Sequence, residues 1–146
     1  MKRFIHIIII GCLMSGAVYA GQEEEAKAGS LAAQHWLEIQ DSGNYKQCWS
    51  SAHPFFQATN PEAKWVNSAR ETRNKLGPVI ERTLTQSQYM TKLPFPGAPE
   101  GEYVISTFET TFKNKGRMLE VVIDAKTDDG SWQVTSAGVT SMMISK

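Results

Sequence analysis

The chain has 146 residues, with 15 Lys and Arg against 15 Asp and Glu, two cysteines, 41% hydrophobic and 10% aromatic residues. That length fits one domain better than two, since single cores span about 100–200 residues. The apolar fraction excludes a disordered chain, zero formal charge excludes a strongly basic nucleic-acid binder, and two cysteines are too few to staple a miniprotein.

The first twenty residues read as an export signal. Lys2 and Arg3 precede the apolar run Phe4–Met14, and Ala17-Val18-Tyr19-Ala20 suits cleavage after Ala20. The run is shorter than the roughly 20 residues a membrane span needs, so no span is expected after cleavage. A competing reading is a lipoprotein, because Ile9-Ile10-Gly11-Cys12 resembles a lipobox in which Cys12 would be acylated. The expected destination is the periplasm or the outside of the cell. Loss of Lys2 and Arg3 leaves 13 basic groups against 15 acidic, and Cys48 as the sole thiol. Residues 21–146 must then be stabilised by their core rather than by a disulfide.

Apolar residues at Ala28, Leu31, Ala32, Trp36 and Ile39 recur at helical spacing, after Glu23-Glu24-Glu25 in the expected first turn. Gly43 marks a stop. Asn44 is the expected cap of a second, short helix with Tyr45, Cys48, Trp49 and Ala52 on one side, ended by Pro54. Asn60-Pro61-Glu62 opens a third helix, striped by Trp65, Ala69 and Leu76 and stopped by Gly77-Pro78. Its basic residues Arg70, Arg73 and Lys75 suit the negative pole of the helix dipole.

From residue 79 the period becomes two. Strands are expected at 79–90, 102–113, 118–126 and 132–139, with hairpin turns at Lys115-Gly116 and Asp129-Gly130. A two-residue turn at Lys115-Gly116 pairs Phe112 with Leu119, Thr110 with Val121 and Phe108 with Ile123. One face then carries Phe108, Phe112, Leu119, Val121 and Ile123, and the other Thr107, Glu109, Thr111, Glu120, Val122 and Asp124. Three prolines stiffen the connection from Leu93 to Gly101. The whole reads as an α+β domain, with N-terminal helices on one face of a curved four-stranded antiparallel sheet.

The order and spacing of Ala32-Ala33-Gln34-His35-Trp36-Leu37, Asp41-Ser42-Gly43-Asn44-Tyr45, Trp49, Trp65, Arg73, Leu76-Gly77, Arg82, Leu93-Pro94, Pro96–Tyr103, Phe108, Phe112, Glu120 and Gly130–Val134 resemble domain of unknown function 4019, a family of small exported bacterial proteins. One departure is Ser136-Ala137, where the family tends to have Gly-Tyr. The resemblance implies export, a single domain and no assigned activity. The order of elements is also similar to the nuclear transport factor 2-like (cystatin-like) superfamily, a cone of helices on a bent sheet that hosts both enzymes and non-enzymes.

Candidate chemistry is sparse. A Cys48–His35 dyad could make a thiol nucleophile, but Cys48 falls on an apolar stripe, where a free thiol behaves as a small hydrophobe. No metal-ligand spacing occurs, and Glu109, Glu120 and Asp124 on the polar sheet face are better explained as a hydrated surface. The four tryptophans Trp36, Trp49, Trp65 and Trp132 are expected in the core. Neither a glycine-rich phosphate loop nor a Gly-x-Ser-x-Gly elbow is present, so no cofactor is implied.

Arg73, Arg82 and Glu120 stand apart because all three carry the resemblance. They read as a bridge from the third helix to the sheet or, on the functional account, as an anion-facing group lining a pocket. The expected function is a non-catalytic envelope protein that binds a small molecule or another protein through a cavity or the open sheet face. The alternative is a hydrolase or isomerase with a pocket carboxylate or histidine as base. A homodimer through the Thr/Glu sheet face is a further expectation for partners.

Overall fold

The computed structural model describes residues 15–142. Lys2, Arg3 and Cys12, on which the export and lipidation readings turn, lie outside them. Four helices, α1 (Ser15–Asp41), α2 (Tyr45–Ser51), α3 (Pro54–Thr59) and α4 (Glu62–Leu76), precede four strands, β1 (Val79–Met90), β2 (Tyr103–Phe112), β3 (Gly116–Lys126) and β4 (Trp132–Ser141). The strands form an open antiparallel meander in the order β1-β2-β3-β4. The α+β class and the strand positions match the expectation. Among the described residues no helix is long and apolar enough to cross a membrane.

α1 buries a stripe rotated from the expected one, with Trp36 buried and Ala32 and Ile39 half-buried as expected. Gly29, Ser30, Ala33, Trp36, Leu37 and Gln40 face the protein, whereas Leu31 is 57% exposed and Ala28 lies in solvent. The cause is a close approach: a Cβ added at Gly29 would lie 2.5 Å from Val104 Cβ on β2. Glycine lets the helix backbone settle on the sheet there, which rotates the small-residue face inward. Glu23-Glu24-Glu25 sit inside this helix rather than in its first turn, and Glu25 pairs with Lys126 of β3.

α2 buries Tyr45 and Cys48 as expected, but Asn44 makes no capping bond and binds Gln47 instead. Pro54 does end the α2 segment, and it also starts α3, where proline tolerates the first turn. His53 caps this helix, its Nδ1 accepting the Phe55 N–H at 3.1 Å. α3 delivers Phe56 to the core, where its ring meets Trp65 edge-on at 5.4 Å and Trp36 at 6.4 Å. Asn60 closes α3 rather than capping α4. Of the four tryptophans only Trp36 is fully buried; Trp49, Trp65 and Trp132 are half-buried.

The β2–β3 register departs from the expected one, with consequences for the site. Phe112 pairs with Gly116, Thr110 with Met118 and Phe108 with Glu120. The turn occupies Lys113–Lys115, and Gly116, at φ 71°, supplies the left-handed residue that follows it. The pairing is therefore offset by an odd number of residues, which exchanges the two faces of β3. Glu120, Val122 and Asp124 join Val104, Ser106, Phe108, Thr110 and Phe112 beneath the helices, all buried. Leu119 and Val121 lie half-buried on the opposite face with Thr107, Glu109 and Thr111. The expected Thr/Glu face thus loses both its buried carboxylates.

Ala33, Trp36, Leu37 and Cys48 pack against Phe108, Val122 and Val134 to make the main core. A second cluster forms on the outer sheet face, where the 93–101 loop folds over Tyr103, Ile123 and Ala125 through Leu93 and Ala98.

Candidate functional site

The helix ends and the inner sheet face converge on a cluster of four charges. Arg73 comes from the last turn of α4, Asp41 ends α1, Arg82 lies on β1 and Glu120 on β3. Glu120 receives Arg73 Nη2 at 2.7 Å on Oε1, and on Oε2 both Arg82 Nε at 2.7 Å and the Thr110 hydroxyl at 2.6 Å. Arg82 forks onto Asp41, with Nη1 and Nη2 at 2.6 and 3.1 Å from its two oxygens. Arg73 also binds the Gln40 carbonyl through Nε and Nη2, and lies over the Phe112 ring at 5.3 Å. Its Nη1 is 3.4 Å from Asp41, an ion pair by distance without hydrogen-bond geometry.

The three residues singled out in the sequence are therefore brought together, and Asp41, Gln40 and Thr110 complete the group. Two cations balance two anions, with Glu120 only 2% exposed. Burial alone would lower the proton affinity of Arg82, but its hydrogen bonds to Asp41 and Glu120 more than offset this and hold it above the ordinary value. Asp41 carried a signal in the sequence: an acid at the C-terminal end of a helix meets the negative pole of the dipole and needs a cation. Arg73 and Glu120 border a cavity of about 310 Å³ walled by Trp36, Trp65 and Val139.

Asp124 presents the opposite case. It is 0% exposed, neither carboxylate oxygen has a hydrogen-bond partner among the described residues, and burial pushes its proton affinity up to about 8. The acid interrupts the apolar run Val121-Val122-Ile123, a visible anomaly in the sequence that the misplaced register assigned to solvent.

The other candidates are not assembled. His35 has its side chain 75% exposed beside Glu38, while the Cys48 thiol donates to the Trp36 carbonyl at 3.6 Å. Burial pushes that thiol up to about 12, which leaves it unreactive near neutrality. Glu109 faces away from Glu120 and Asp124 and pairs with Arg117, so the three acids do not meet.

A third feature lies under the 93–101 loop, where a pocket of about 380 Å³ opens on the outer sheet face. Leu93, Tyr103, Ile123 and Ala125 form its floor and walls, and Phe55 and Phe95 line it while remaining 47% and 54% exposed. Its ionisable side chains are His53, Glu100, Glu102, Tyr103 and Lys126, and Thr135 and Ser136 add hydroxyls.

No curated protein matches the chain. A protein-family comparison does match, over residues 32–136, a span that holds the ion cluster, Asp124 and the loop pocket. On that match the chain belongs to the family described as "Protein of unknown function (DUF4019)".

Proposed function

We propose that this protein is an exported, non-catalytic binding protein of the bacterial envelope that holds a small apolar molecule beneath the 93–101 loop. The observation that carries this reading is the pair of phenylalanine rings, Phe55 and Phe95, left half in water where they line a preformed pocket. Exposed aromatic rings beside an apolar cleft of several hundred Å³ are what a ligand site leaves uncovered when empty. Three prolines in the loop limit its freedom, so little ordering is required on binding. The segment from Leu93 to Tyr103, which carries much of the family resemblance, supplies most of the pocket.

On this reading Arg73, Arg82 and Glu120 serve as a clamp rather than as ligand groups, because each is already engaged within the protein. The test is native mass spectrometry of protein recovered from its own periplasm, followed by titration with the apolar dye 1-anilinonaphthalene-8-sulfonate. A retained small molecule, a chain beginning at Gly21, and dye uptake lost in the Phe55→Ala/Phe95→Ala double variant are expected. A chain still carrying residues 1–20 would overturn cleavage after Ala20, and a chain confined to the cytoplasm would overturn the export reading. Equal dye uptake by the double variant would overturn the pocket.

A further inference from the structure

The cavity beside Asp124 is separate from both the loop pocket and the ion cluster. It measures about 280 Å³ and lies between α1, α2 and the start of β4. Trp36 and Trp132 supply aromatic walls, Gln47, Gln133 and Ser51 supply neutral polar groups, and Asp124 supplies the one carboxylate. Alternation along β3 puts the Asp124 side chain on the helix-covered face, the side on which the cavity lies. On β2, Ser106 stands diagonally from it on that face, and its buried hydroxyl is likewise without a partner among the described residues.

A buried carboxylate with two unused oxygens lacks a donor, and among the described residues no Lys or Arg lines the cavity to provide one. Carboxylate, indole faces and neutral polar side chains together are the complement of an organic cation that carries N–H groups. We infer that this cavity binds a small primary amine in its ammonium form, with the Asp124 carboxylate as counter-ion and the alkyl body between Trp36 and Trp132. The Asp124 oxygens are closed to water in the empty cavity, so contact with the ammonium requires wall side chains to move.

The charged groups around Asp124 are few. From α1 there is His35, largely in solvent, and from β3 there is Lys126. Lys126 pairs with Glu25 and Glu102 and rests its ammonium 5.6 Å from the Trp132 ring centre, so that indole already accepts a cation of this type. From α2 and β4 the cavity lining is uncharged. Burial alone accounts for the raised proton affinity of Asp124. Below about pH 8 the acid is mostly protonated in the empty cavity, so ammonium binding releases a proton and tightens as pH rises.

The test is calorimetric titration of the folded full-length domain with n-butylammonium chloride, with n-butanol and tetramethylammonium as controls. Affinity for butylammonium is expected to rise about tenfold per pH unit between about pH 6 and 8 and then level off. The controls, lacking either the charge or the N–H donors, are expected to bind at least about tenfold more weakly. Asp124→Asn keeps the side-chain volume and removes the buried acid, so it should fold, lose butylammonium affinity by about tenfold or more, and lose the pH dependence. His35→Gln, at the rim of the same cavity, should retain the pH dependence. No butylammonium binding at any pH, equal binding of butanol, or unchanged binding by Asp124→Asn would each overturn the inference, and none of these results bears on the loop pocket.

Discussion

Glu120 and Asp124 occupy the same face of one strand, separated there only by Val122, and both are closed to water. Glu120 has three hydrogen-bond donors and two guanidinium counter-ions. Asp124 has none among the described residues. The contrast shows what burying a carboxylate entails. Where five elements converge with matching charges, the ion becomes a joint of the fold; where an apolar floor surrounds it, the group retains its proton.

Removing a partner from the satisfied carboxylate should have the largest effect. Arg82→Ala leaves two anions, Glu120 and Asp41, to the single cation Arg73 and should reduce stability by about 3–5 kcal/mol in urea unfolding. Unchanged stability would show that the cluster does not hold the helices to the sheet.

Relieving the unsatisfied carboxylate should act in the other direction and depend on pH. The folded-state proton affinity of Asp124, about 8, exceeds its ordinary 3.8. Its contribution is therefore fully present below about pH 4 and lost as pH rises through about 8. Asp124→Asn should match the native protein in acid, gain on it by about 1.4 kcal/mol per pH unit between about pH 4 and 8, and hold that advantage above pH 8, read from unfolding curves across pH.

Between the two carboxylates and the helices lies the contact of Gly29 with Val104, the cross-strand neighbour of Asp124. Gly29→Val should lift α1 from this end of the sheet and reduce stability by about 1–3 kcal/mol. It should also admit water to Asp124 and lower its midpoint, while leaving the Glu120 cluster intact. The smallest effect is expected at Leu31, which the helical spacing alone would bury. Leu31→Ala should change stability by no more than about 0.5 kcal/mol.

Much of the architecture was legible before the structure. The four strands, the glycine stops and the stripes of α2 and α4 depend on local chemistry, and they appear where the residues place them. The association of Arg73, Arg82 and Glu120 was legible too, as a bridge. Three features were hidden for tertiary reasons. The turn before Gly116 could close in more than one way, and only packing under α1 selects the register that buries Glu120 and Asp124. The stripe of α1 is set by Gly29 meeting Val104, a contact between residues far apart in the chain. α3 is a single short helix whose start, Pro54, reads equally well as the end of α2.

The central claim is that β3 turns its carboxylates toward the helices and leaves one of them without a partner. Carbon-13 NMR titration of the Asp124 side-chain carboxyl tests it most directly. A midpoint near 8 is expected, far above the ordinary 3.8. A midpoint in the ordinary carboxylate range would mean that Asp124 faces water and that the register is wrong.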